Sequence, residues 1–161
     1  MEKIKYEYDV ALSFAGEQRE YVKKVSEELT RLHVKHFYDY NEQVNLWGKN
    51  LTEYLDQVYF EKSKFFIPFI SKDYIEKDWT RLEVRSALDR NMQEHSLDFQ
   101  QYILPVRFDD TRVYGIVGSI AFLDARKYTP KEIAQMIYNK IIYVFLTIFL
   151  YLLKCPQSLI L

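Results

Sequence analysis

"KFFIPFI", residues 64–70, is an apolar run with no alternation of polar and apolar positions. A strand with one wet face alternates, whereas a strand covered on both faces does not. The run therefore reads as a central strand of a parallel sheet. Pro68 inside it conflicts with that reading, because proline has no N–H to give to a ladder. A bulge or an unpaired position is expected there.

The segments on either side repeat strand and helix. "YDVALSF" (residues 8–14) is a short apolar run that ends in Ala15-Gly16, a strand and its turn. A helix is expected from about Glu17, with Tyr21, Val25, Leu29 and Leu32 along one stripe. Glu20 with Lys24, and Glu27 with Arg31, are spaced as i, i+4 pairs on its wet side. "HFYDY" (residues 36–40) reads as the second strand. The polar stretch "NEQVNLWGKN" (residues 41–50) then leads to a helix carrying Leu51, Leu55 and Val58. After the central strand, "ISKDYIEKDWTRLEV" (residues 70–84) reads as a loop entering a helix over about residues 79–92. "YILPVRF" (residues 102–108) and "IAFLD" (residues 120–124) supply a fourth and a fifth strand, joined by a loop with Gly115 and Gly118. "TPKE" (residues 129–132) is a helix start: Thr129 as N-cap, Pro130 at N1, Glu132 closing a capping box. Ile133, Ile137 and Ile141 follow on one face.

Strands alternating with helices predict an α/β fold, a flavodoxin-like doubly wound sheet of about five parallel strands flanked by helices. Such sheets bind ligands beyond the carboxyl ends of the strands, where the strand order reverses. In the order 2-1-3-4-5 that point lies between strands one and three, at Phe14-Ala15-Gly16 and Ser71-Lys72.

Composition narrows the function. The chain has 161 residues and 48% hydrophobic content, enough for one domain with a core. A net charge of -1 gives no basic stripe for nucleic acid. The 14 Tyr and 11 Phe are read as core and surface, not as a base-stacking platform, which would also want a basic groove. A single cysteine, Cys155, excludes an intrachain disulfide and a cysteine-based metal site, and His33, His36 and His95 form no i, i+4 ligand pair, so no metal is expected. "MEKIKYEYDV" has no apolar signal-peptide region, which points to the cytosol. The four glycines include no G-x-G-x-x-G, which disfavours a dinucleotide-binding oxidoreductase. Residues 141–153 carry no charge, but at 1.5 Å per residue they reach only about 20 Å, short of the roughly 30 Å hydrocarbon core. No membrane span is expected. A helix apolar all round should be buried, so self-association or packing across the domain is. Residues 1–140 are taken as the domain and 141–161 as an apolar extension of its last helix.

Glu83 is the odd residue. Its helical neighbours at i±3 and i±4 are Trp79, Thr80, Ser86 and Ala87, none of them cationic. A helix glutamate is ordinarily a solvated ion-pair partner; this one has no local partner, although spacing leaves a tertiary one open. The other candidates also have plainer readings. Trp79 suits a core position and Trp47 could staple its loop. Asp39 could cap a strand end, and Ser71 could begin a loop.

Four stretches, "YDVALSFAGEQ", "FYDYNEQVNLWGKNL", "FFIPFISKDYIEKDWTRLE" and "YILPVRFDD", together resemble a bacterial TIR (Toll/interleukin-1 receptor) domain of the stand-alone type. The third ends in the family's Trp-x-x-x-Glu motif, here Trp79 and Glu83, and the similarity covers about residues 6–140. The resemblance implies an NAD⁺ hydrolase or cyclase with Glu83 as its catalytic glutamate. It implies a nucleotide cleft lined by Phe14, Ala15 and Gly16, by Asp39, Tyr40 and Trp47 around the loop after the second strand, and by Ser71, Tyr74 and Trp79. NAD⁺ would be substrate, with no further cofactor. Implied partners are other TIR domains by self-association, and a separate effector reached through the nucleotide product, as in Thoeris anti-phage defence. Two other classes remain open at this level: a non-enzymatic TIR scaffold, which would often lack the glutamate, and a nucleoside 2-deoxyribosyltransferase-like enzyme.

Overall fold

The computed structural model describes residues 6–39, 47–48, 50–77, 102–111 and 121–154. Among them, five parallel strands form one sheet in the order β2-β1-β3-β4-β5. The strands are β1 (Tyr8–Phe14), β2 (His36–Phe37), β3 (Ser63–Ile70), β4 (Val106–Arg107) and β5 (Leu123–Asp124). The described helices are α1 (Arg19–Arg31), entered through a 3-10 turn at Gly16–Gln18, then α2 (Leu51–Gln57), α3 (Lys72–Lys77) and α4 (Pro130–Lys154). A π-turn, Val58–Lys62, carries α2 into β3.

Both faces of the sheet are covered, as the unbroken apolar run of β3 requires. Alternate residues go to opposite sides. Val10 and Leu12 of β1 and Phe65, Ile67 and Phe69 of β3 join Val22, Val25 and Leu29 of α1 and Ile133, Ala134 and Ile137 of α4. Ala11 and Phe66, with Phe37, Ile70 and Tyr74, pack against Val58 and Tyr59 on the other side.

Pro68 is accommodated without a bulge toward β1, where the register Ser13↔Pro68 continues Leu12↔Ile67. Its neighbours in phase, Phe66 and Ile70, direct their backbone groups toward the β4 chain, where Phe66 N–H donates to Tyr102 O and Phe108 N–H to Ile70 O. The missing N–H thus falls on the β4 side. There the ladder is interrupted, between an isolated bridge at Phe66↔Ile103 and the paired Phe69↔Val106. That interruption leaves β4 shorter than the run 102–108 suggests.

Three local expectations are corrected. The stretch after β3 is not loop up to residue 79: helix α3 begins at Lys72. Ser71 starts it by accepting the Tyr74 N–H at 3.1 Å on its Oγ, and the Asp109 carboxylate accepts the Lys72 N–H at 2.9 Å. The α1 stripe is shifted, with Val22 and Ser26 buried and Tyr21 and Leu32 only partly so. Finally, Arg31 pairs with Glu28, one turn back at i, i+3, instead of with Glu27.

Candidate functional site

The carboxyl ends of β1 and β3 are neighbours, in register to Phe14↔Phe69. The chain leaves both ends through polar residues that bind one another. Ser71 Oγ donates to Gln18 Oε1 at 3.1 Å, joining the start of α3 to the turn before α1. Beneath them, Ser13 Oγ and Tyr74 Oη share a buried hydrogen bond of 2.8 Å. Four chain segments are thereby locked around one point, and it is the point where the strand order reverses.

The outer rim is aromatic and charged. The Phe14 ring stacks on Tyr38 with centroids 5.4 Å apart and an interplanar angle of 19°. The Arg19 guanidinium lies 5.4 Å from the Phe14 centroid, within cation–π range. Its Nη1 is 3.7 Å from the Asp39 carboxylate, with both side chains more than a third exposed. Burial pushes the Tyr38 phenol above its ordinary pKa, against the pull of Arg19. Arg19 over Phe14 thus sets a guanidinium at the rim, a group whose geometry suits anions.

The sequence candidates divide by position. Phe14, Gly16 and Asp39 reach the rim, with Gly16 exposed and Phe14 and Asp39 half-buried. Ala15, Ser71 and Tyr74 are at most 2% exposed, so they back the wall. Trp47 is 88% exposed in a turn beside Gly48, whose φ of 81° favours glycine, so its indole packs on none of these residues. Tyr40, Trp79 and Glu83 lie outside the described residues.

Several residues of this region went unread in the sequence. Ser13, Gln18 and Arg19 sit within or beside "SFAGEQR", and their signal was a polar run placed directly at the predicted switch point. Asp109 was another, visible only as the first acid of "RFDD". Burial alone would raise its carboxyl. Hydrogen bonds from Thr111 and from the backbone N–H of Lys72 outweigh burial and hold it below the usual carboxylate range. At the neighbouring strand ends, Arg126 forks onto Asp124 through Nε and Nη2, at 2.9 and 3.0 Å. It also reaches Asp110 at 2.9 Å, and it lowers the pKa of both carboxyls. This clamp ties the loop after β5 to the loop after β4.

Comparison with known proteins bears on the fold and the family. A relative from Aquimarina amphilecti, the 3' cyclic ADP-D-ribose synthase AaTIR, is 47% identical over 141 residues, covering 88% of this chain and 42% of its own length. The NAD(+) hydrolase TirS of Staphylococcus aureus is 32% identical over 84% of this chain and 48% of its own. The 2' cyclic ADP-D-ribose synthase AbTIR of Acinetobacter baumannii is 34% identical over 62% of this chain and 35% of its own. The chain thus spans less than half the length of these curated relatives. Among solved structures, the TIR domain of the Toll-related receptor TRR-2 from Hydra magnipapillata superposes with a TM-score of 0.55. At 20% identity, over 81% of this chain and 98% of that one, it speaks for the fold alone. The sequence profile of the TIR domain matches residues 10–137, and so the chain belongs to the TIR domain family.

Proposed function

We propose that this chain cleaves the nicotinamide–ribose bond of NAD⁺, releasing nicotinamide and leaving ADP-ribose where water takes C1′, or a cyclic ADP-ribose, one water lighter, where a nucleophile of the substrate itself does. The observation that carries the reading is the 47% identity, across 88% of the chain, to a cyclic ADP-D-ribose synthase. Two further relatives, an NAD(+) hydrolase and a second cyclic ADP-D-ribose synthase, support the same bond.

The chemistry suits a spare site. The nicotinamide of NAD⁺ is already cationic, so it departs neutral and needs no proton. The acid half of an ordinary glycosidase's carboxylate pair is then dispensable. What must be stabilised is positive charge developing on the ribose, and one fixed carboxylate in a water-poor pocket does that electrostatically. Glu83 is assigned this role. Trp79, four residues before it in the sequence, Tyr40 and Trp47 are assigned to the substrate. So are Phe14, Gly16 and Asp39 at the rim, with Ala15, Ser71 and Tyr74 holding the wall. Arg19 is added as the cation for the pyrophosphate. NAD⁺ is substrate here, and no separate cofactor is invoked. Self-association with other TIR domains and a separate effector that reads the nucleotide product complete the proposal, as an immune signal.

The test is concentrated protein incubated with NAD⁺ beside Glu83→Gln, with products resolved by chromatography and mass detection. The wild type is expected to release nicotinamide, and the variant to do so about 100-fold or more slowly. The retention of the second product separates linear from cyclic output. Equal release by both proteins would remove Glu83 from the chemistry. No release by either at high concentration would favour a scaffold that works by association.

A further inference from the structure

The last helix has two apolar faces, and the domain uses only one. Ile133, Ala134 and Ile137 are buried in the core cluster, with Ile141 and Val144 partly buried against it. The other face carries Ile142, Leu146, Phe149 and Leu153, at 38%, 50%, 49% and 62% exposure. Their spacing of four, three and four residues keeps them in one line along the helix, the spacing of a coiled-coil seam. Phe145 and Leu150, 63% and 54% exposed, flank the line. The rings of Phe145 and Phe149 already stack, 6.4 Å apart and 7° from parallel.

We propose that this stripe is an interface for a second copy of the chain, with two α4 helices packed side by side through Ile142, Leu146, Phe149 and Leu153. The exposed area reaches the lower end of what a pairing takes. At roughly 200 Å² for each large side chain, the six residues present on the order of 600 Å² to solvent, and their shared backbone and neighbours add to it. A stable interface takes about 800 Å² from each partner, whereas the largest apolar patch on a typical monomer is about 300–600 Å². A stripe of apolar side chains is complementary to itself, as a two-fold pairing requires.

A lipid surface fits less well. Helices that lie on membranes expose a charged face, rich in Lys and Arg, to the headgroups. Here the face opposite the stripe meets the core as far as Val144, and residues 141–153 carry no charge to offer a headgroup. Among the described residues, no helix is long and apolar enough to cross a membrane. The stripe begins after residue 137, where the family match ends.

The experiment is light scattering and sedimentation of the full chain, from micromolar to hundred-micromolar concentration, without NAD⁺. The readout is therefore independent of catalysis. The apparent mass is expected to rise with concentration and level off at twice the 19.5 kDa chain mass. Leu146→Glu combined with Phe149→Glu is expected to raise the dimer dissociation constant about a hundredfold, with the helical circular dichroism unchanged. Leu146→Gln carries the same test should the double variant fail to fold. Thr147→Glu, exposed on the same helix but off the stripe, is expected to leave the pair intact. Four results would overturn the proposal: a wild type monomeric throughout, a dimer indifferent to the stripe variants, a mass that climbs without a plateau, or a monomer that binds phosphatidylglycerol vesicles in place of a second copy.

Discussion

His36 shows how much one side chain is governed by its surroundings. Its Nδ1 lies 3.0 Å from the Val34 carbonyl, which can only accept, so Nδ1 carries the proton. Nε2 is then the acceptor for the Ser26 hydroxyl at 2.7 Å. Burial lowers the pKa of this ring below 6.5, although the bond to Val34 works against it. The unfolded chain therefore binds more protons than the folded one between that lowered value and about 6.5. Stability is expected to be intact above pH ~6.5 and to fall as the pH drops through the folded pKa. Urea unfolding across a pH series checks this, and His36→Gln should flatten the dependence. At the rim, Arg19 makes a different prediction that rests on the proposed reaction. Arg19→Ala is expected to raise KM for NAD⁺ about tenfold while changing kcat less, because a phosphate contact is made equally in ground and transition states. Steady-state kinetics on the two proteins reads it directly. Arg19 was not legible in sequence, because its value depends on standing beside Phe14 and Asp39.

Helix ends follow local rules closely, and α1 shows both the rule and an exception. The Val34 N–H donates to Leu29 O and the His33 N–H to Thr30 O, each at 3.0 Å, the paired bonds of a Schellman cap. The cap needs a left-handed residue, and His33 takes it at φ 57° where glycine is usual. His33→Gly is therefore expected to stabilise the protein by about 1 kcal/mol, measured by urea unfolding, because the left-handed cost to a side chain is relieved. At the other end of the chain the expected capping box of α4 is present. Glu132 Oε2 accepts the Thr129 N–H at 2.8 Å, and Thr129 Oγ1 accepts the Glu132 N–H at 3.3 Å. Thr129→Ala should cost roughly 1 kcal/mol in the same measurement. The start of α3 was harder to read. Ser71 is an ordinary loop residue until Asp109, 37 positions beyond Lys72, takes the Lys72 N–H and fixes the first turn.

The whole domain depends on a sheet dry on both faces. Phe66 is fully buried between β3 and the aromatic layer of Tyr59 and Phe60. Phe66→Ala is expected to cost about 3–5 kcal/mol, a large part of the stability of a domain this size, seen as a lower urea midpoint. Sequence determined a good deal here: the alternation of strand and helix, the switch point at Phe14 and Ser71 and the start of α4. These are properties of periodicity, capping and turn chemistry, which act over a few residues and leave their mark in the order of the letters. Tertiary structure alone decided that the unpaired position expected at Pro68 would face β4 and that Tyr74 would close a buried bond on Ser13. It also decided that Arg19 would sit over Phe14, and that one face of the last helix would remain uncovered. Each of those outcomes depends on a partner brought near by chain crossovers, and the free energy of such a contact is set by distance and burial, which no local pattern encodes.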